Sequence, residues 1–178
     1  MEKTDSIHKI VQIAFFAALT VVLAFISIPL PFSPVPITGQ TLGVMLAGYL
    51  LKGKDAFLSQ LIYVLMGVIG LPVFAGGSSG PGVLFGPGGG FIWGFLLAAY
   101  FIGKFTQKNK TSHKDILVLI IGGILLIYLL GAIQMILVLD LSFREVFFSS
   151  ILPYLPGDFL KIFITFTVGR RIKKSRMF

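Results

Sequence analysis

The 178-residue chain is 56% hydrophobic and only 12% charged, about half the charge of an ordinary soluble domain. With a mean hydropathy of +0.95, the composition excludes a soluble globular protein and gives an all-α integral membrane protein with one domain over residues 1–178. The net charge of +8 raises nucleic acid as a partner, but the Lys and Arg residues gather in short clusters at the ends of apolar runs, which is a topology signal. The chain also has no cysteine for disulfides, thiol catalysis or thiolate metal sites.

The first apolar run, Ile10 to Ile28, is too long for a signal-peptide h-region, and no small-x-small cleavage site follows it. It predicts a first span over about Ile7 to Ile28. Pro29, Pro31, Pro34 and Pro36 end that span. The uncharged loop to Ile37 is expected to run extended, because each proline disfavours helix in the residue before it. A short second span covers about Thr38 to Leu51, a basic turn follows at Lys52-Gly-Lys-Asp55, and a third span covers about Ala56 to Ile69. Then comes a stretch from Gly70 to Gly94 in which eight of the fifteen residues from Gly76 to Gly90 are glycine and two are proline. Neither helix nor strand accepts that density, and irregular backbone at membrane depth must be buried in protein or line a cavity. The stretch is therefore expected to cover a binding site.

Span four runs from about Gly89 to Phe105 and meets a basic, polar linker, Gln107 to Asp115. Span five, Ile116 to Leu139, is the longest. Asp140 to Pro156 carries Asp140, Arg144, Glu145 and four aromatic residues, and reads as a short helix lying in the interface. Span six begins near Pro156 or Gly157 and runs to Val168, before the basic tail Arg170 to Arg176. The result is a six-transmembrane-helix bundle with both termini on one side. The basic loops after spans two and four share that side, whereas the other three loops hold one basic residue, Arg144. The positive-inside rule gives N-in, C-in, with the proline loop, the glycine stretch and the start of span six outside.

Apart from Lys9 and Lys104 in the end turns of spans one and four, Asp158 and Lys161 are the only charged residues inside the predicted spans. An ionisable side chain in a bilayer costs roughly 3 kcal/mol or more and marks a functional site by default. Their i, i+3 spacing puts both on one face of span six, in its first turns, where free backbone N–H groups favour an anion. The patch suits a ligand carrying both an N–H-rich group and a carboxylate. The alternative is an internal salt bridge, with Asp158 as a helix-start acid. The glycine stretch lacks the lysine of a phosphate-binding loop, and Phe85 stands where a dinucleotide fingerprint needs glycine. A lid or wall close to a small ligand fits better. Val73, Phe74, Val83, Leu84 and Phe85 call for burial, which argues against a plain linker.

Ala14-x-x-x-Ala18, with Ala17 beside it, permits close approach of another helix, either a partner's or one in the same bundle. Gln40 follows the proline loop and reaches the same side as Asp158, whereas Gln12, Gln60 and Gln134 read as inter-helix hydrogen-bonding residues. His8 and His113 share no ligand spacing with other donors. No metal, cofactor or catalytic residue is expected, since no nucleophile–base pairing is visible.

Four motifs, Pro34-Val-Pro-Ile-Thr-Gly-Gln-Thr41, Gly67-Val-Ile-Gly-Leu-Pro-Val-Phe-Ala-Gly-Gly77, Gly86-Pro-Gly-Gly-Gly-Phe91 and Pro156-Gly-Asp-Phe-Leu-Lys161, resemble in order those of the biotin-specific S component (BioY) family of energy-coupling-factor (ECF) transporters. The resemblance covers about residues 10 to 170. It implies a prokaryotic cell-membrane protein that binds biotin near the outer face, under the loop between helices three and four. It assigns Asp158 to the ureido N–H groups and Lys161 to the valerate carboxylate. Where the family commonly has a larger polar residue after its Gly-Gly pair, this chain has Ser78 and Ser79, which implies a shorter, water-mediated or missing contact. Where the family has tyrosine, Phe91 keeps a ring to stack but no hydroxyl. The resemblance also implies that Ala14 and Ala18 dock a transmembrane coupling subunit, and that ATP hydrolysis comes from a partner ATPase pair, since the chain has no Walker motif. Two competing readings are an S component for another vitamin and a small intramembrane enzyme acting on lipid head groups.

Overall fold

The computed structural model describes residues 2–106 and 113–175. Lys108, Lys110 and Arg176 of the basic segments lie outside the described residues. The elements are α1 (Glu2–Ala24), β1 (Ser27–Ile28), β2 (Ile37–Thr38), α2 (Gln40–Leu50), α3 (Gly53–Val68), α4 (Gly82–Phe85), α5 (Gly89–Phe105), α6 (His113–Ile120), α7 (Ile127–Leu139), α8 (Phe143–Ser150) and α9 (Leu155–Lys174). A π-helical stretch, Ile121–Leu126, joins α6 to α7 in one 27-residue rod, His113–Leu139.

Each predicted span coincides with a helix. By length and composition, Ser6–Ala24 and His113–Leu139 are each long and apolar enough to cross a membrane, and α8 with α9, bent by 57°, makes a third candidate among the described residues. The 11-residue α2 rises only about 16 Å, against about 30 Å of hydrocarbon. Its neighbours shield it: Val44, Met45, Ala47 and Tyr49 are buried.

α5 is the hub, packed against α2, α3 and α7; α1 covers α2 and α3, and α9 lies on α2. Glycine makes those contacts close. A Cβ at Gly90 would fall 2.2 Å from the Leu130 carbonyl oxygen, and one at Gly103 2.8 Å from the Gly53 Cα. α5 thus meets α7 and α3 backbone to backbone, the small-residue packing expected where burial from water is not the driving force.

The proline loop departs from the expectation. α1 stops at Ala24, four residues before the predicted end, and the chain turns back on itself, pairing Ser27 with Thr38 and Ile28 with Ile37. Proline has no N–H for a ladder, so only the loop's two ends pair. Residues 29–36 between them close in turns, one of them held by the Ser33 N–H donating to the Leu30 carbonyl at 3.3 Å. The glycine stretch is ordered too. It contains a 3-10 turn, Ala75–Gly77, with positive φ at Gly76 and Gly77, and the single turn α4. Val73, Phe74 and Leu84 are buried as expected, but Phe85 is 73% exposed, on the outside of an apolar bundle.

Candidate functional site at the start of α9

α9 begins with Pro156 in its first turn, a position that needs no N–H partner, and this sets Asp158 and Lys161 one turn apart at the helix entrance. Asp158 is 2% exposed. A buried carboxylate needs compensation from several donors, and three elements supply them. From α9 itself, Lys161 Nζ lies 2.7 Å from Asp158 Oδ1. From α2, the Thr41 hydroxyl donates to the same oxygen at 2.9 Å. From α7, the Tyr128 hydroxyl donates to Oδ2.

Lys161 is equally committed. Besides Asp158, its ammonium donates to the Thr38 carbonyl at 2.7 Å and to Thr41 Oγ1 at 2.8 Å. Thr38 ends β2, so this cation ties α9 to the end of the proline loop. That loop has a second anchor. The Ser33 hydroxyl shares hydrogen bonds with Ser150 at 2.9 Å and Tyr154 at 2.8 Å, and Tyr154 donates to the Val35 carbonyl. The loop is a fixed wall held to the α8–α9 corner.

The other predicted residues take separate positions. Phe91 is buried and meets the Tyr128 ring edge-on at 6.1 Å, so it stands behind the residue that holds Asp158. Gln40 is buried beside the site; its side-chain carbonyl accepts from the Thr38 hydroxyl at 2.8 Å, and its amide donates to the Tyr63 hydroxyl on α3. Ser78 and Ser79 are exposed, and the Ser78 hydroxyl donates to its neighbour, the Ala75 carbonyl, at 2.9 Å. Among the described residues, no hydrogen bond joins either serine to Asp158 or Lys161.

The glycine stretch is tied down at its far end. Gln134 of α7 donates to the Leu84 and Gly86 carbonyls at 2.8 and 2.7 Å. Gln60 makes the expected inter-helix bond, to Thr20 of α1 at 3.2 Å. A groove of about 490 Å³ lies between the proline loop and the glycine stretch, with Phe25, Pro29, Leu30 and Ser33 on one side and Gly76 and Gly77 on the other. Neither Asp158 nor Lys161 lines it.

The sequence profile of the BioY family matches residues 1–177. The chain belongs to the BioY family. A probable biotin transporter BioY of Bacillus subtilis is 40% identical over 169 residues, covering 92% of this chain and 89% of the relative. The biotin transporter BioY of Rhizobium etli is 34% identical over 176 residues, 94% of each. In structure, this BioY-family chain is similar to the S-component for biotin from an ECF-type ABC transporter, solved at 2.1 Å; the TM-score is 0.91 at 31% identity, covering 98% of this chain and 95% of that one. The apolar helices of this BioY-family chain therefore follow an S-component membrane fold.

Three partners in the cluster escape a reading based on charge alone: Thr38, Thr41 and Tyr128. Tyr128 left a signal, being one of two polar side chains, with Gln134, in the apolar run 116–139. Thr38 and Thr41 lie in the Pro34–Thr41 motif, but nothing local singles them out, since their contacts depend on α2 and β2 meeting α9. On α1 of this BioY-family chain, Ala17 is buried while Ala14 and Ala18 are exposed on one face, between Ile7, Ile10 and Val11 at one end and Val22 at the other.

Proposed function

We propose that this chain is a biotin-binding S component of an ECF-type transporter, which captures the vitamin at the outer face of the cell membrane and delivers it inward with partner subunits. One observation carries the reading: in a BioY-family chain, the start of an apolar helix holds a buried acid and a cation one turn apart, shared by three helices and the proline loop. Asp158 accepts the ureido N–H groups and Lys161 pairs with the valerate carboxylate. Phe91 and Gln40 shape the walls from behind the contacting groups. Ser78 and Ser79 sit on the glycine stretch, which serves as the lid.

The chain is one domain of six spans with both termini inside, as its basic loops require. α2, too short to cross alone, reaches the outer surface through the β1–β2 hairpin. Ala14 and Ala18 form the surface on which a transmembrane coupling subunit docks, and a pair of ATPases supplies the energy. An exposed small-residue face on an apolar helix supports that assignment, because such a face lets a second helix approach closely.

Equilibrium binding of biotin to the purified protein is the test. The wild type should bind well below micromolar concentrations; failure to bind at micromolar levels overturns biotin as the ligand and favours another vitamin. Lys161→Ala should weaken biotin by about 100-fold, or roughly 3 kcal/mol, the usual cost of leaving one charge of a buried pair without its partner. An analogue without the carboxylate should escape that loss. Equal losses for both ligands remove Lys161 from its role. Asp158→Asn should weaken both ligands.

A further inference from the structure

The hydrogen bonds around Asp158 and Lys161 leave little room for a ligand. An ammonium has three protons, and those of Lys161 are directed to Thr38 O, Thr41 Oγ1 and Asp158 Oδ1. A carboxylate offers about four acceptor positions, two on each oxygen. Asp158 Oδ1 has both filled, by Thr41 and Lys161, and Oδ2 has one filled, by Tyr128. Thr41 closes a ring, because its hydroxyl accepts from Lys161 while donating to Asp158.

A urea presents two parallel N–H groups. One can reach the open position on Oδ2. The second needs Oδ1, which is full until Lys161 or Thr41 lets go. Lys161 has no spare proton, so it turns to a ligand carboxylate only by giving up a partner. When that partner is Asp158, the position vacated on Oδ1 is the one the second N–H needs. The two ends of the ligand therefore release each other's contacts.

We propose that Asp158 and Lys161 form an interlock opened only by a ligand carrying both a carboxylate and a urea-type N–H pair, and that Thr41 is the positioning residue that keeps it shut. This rests on the biotin reading above and adds a source of specificity to it. A ligand with one end alone loses that end's contact and also fails to free the other. Biotin is favoured beyond the sum of its two contacts.

The test compares biotin with biotinamide, which keeps the bicyclic urea and lacks the charged carboxylate. Thr41→Val removes the hydroxyl at nearly constant shape and frees both sides of the ring, one position on Oδ1 and one proton of Lys161. Neither end of the ligand then has to displace a partner, so biotinamide and biotin should each bind about tenfold tighter than they bind the wild type, the worth of one hydrogen bond. Thr41→Ser, which restores the hydroxyl, should restore both wild-type constants. A biotinamide constant that is unchanged or weaker in Thr41→Val overturns the interlock, because losing a residue that only supports packing gives no ligand a tighter site. Should Thr41→Val fail to fold, Lys161→Met decides the matter: biotin weakens and biotinamide tightens if the interlock exists, whereas an unchanged biotinamide constant overturns it. Wild-type protein that binds biotin but shows neither shift sinks the interlock alone; wild-type protein that binds neither ligand sinks the biotin reading and the interlock with it.

Discussion

Tyr128 donates to Asp158 Oδ2 and carries Phe91 edge-on against its ring at 6.1 Å, so one residue of α7 fixes both a charge and an aromatic wall. Removing the hydroxyl alone leaves the packing in place. Tyr128→Phe should weaken biotin about tenfold or somewhat more, since hydrogen bonds to a charged group are worth roughly 1.5–3 kcal/mol, with the melting temperature in detergent nearly unchanged. A drop in melting temperature with unaltered affinity would place Tyr128 in the fold rather than the site. Asp158 and Lys161 are legible in the sequence because charge inside an apolar run stands out against everything around it. Tyr128 shows in the sequence only as a polar side chain in an apolar run, and Thr41 only as the end of a motif, because a hydroxyl in a membrane helix is common and its meaning depends on what it faces. Ser78 and Ser79 stand out by motif position alone, and in the fold both are exposed on the glycine turn, where the Ser78 hydroxyl donates to the Ala75 carbonyl.

The helices were readable from apolar runs, and their limits were least readable where tertiary pairing intervenes. α1 ends early because Ser27 and Ile28 are taken by β2. The proline loop closes on itself because Ser33 and Tyr154 draw it to the α8–α9 corner, a contact across more than a hundred residues of chain. α8 (Phe143–Ser150) falls inside the segment from Asp140 to Pro156 that the sequence marks as a short helix, and Ser142 and Glu145 cap its start reciprocally. The glycines of α5 read as helix weakeners in isolation, and packing gives them another meaning. Gly90→Ala would set a Cβ 2.2 Å from the Leu130 carbonyl oxygen. Overpacking of this kind costs about 1–3 kcal/mol, so thermal unfolding in detergent should shift clearly downward. Gly157→Ala in α9 meets nothing within 4 Å and should be neutral or slightly stabilising. Equal effects of the two changes would contradict the close α5–α7 contact.

At the scale of the whole molecule, the polar contacts concentrate around the start of α9 while one face of α1 is bare and apolar. Those two surfaces should separate in function. Ala14→Leu or Ala18→Leu should leave biotin binding by the purified chain unchanged and reduce biotin uptake in cells supplying the coupling subunit and ATPases by about tenfold or more, since a bulky side chain forbids close helix approach. Loss of binding instead would mean that the face belongs to the bundle. By itself the sequence determined the membrane class, the helical segments, the acid–cation pair and the family. Each of these follows from local composition or from residues a few positions apart, where hydrophobic period, charge and motif are directly visible. The tertiary structure alone decided that Thr38, Thr41 and Tyr128 surround the Asp158–Lys161 pair, that the proline loop is tethered to the α8–α9 corner, and that Lys161 has every donor engaged. Those facts depend on which helix faces which, and that is set by glycine contacts and pairings between residues far apart in the chain.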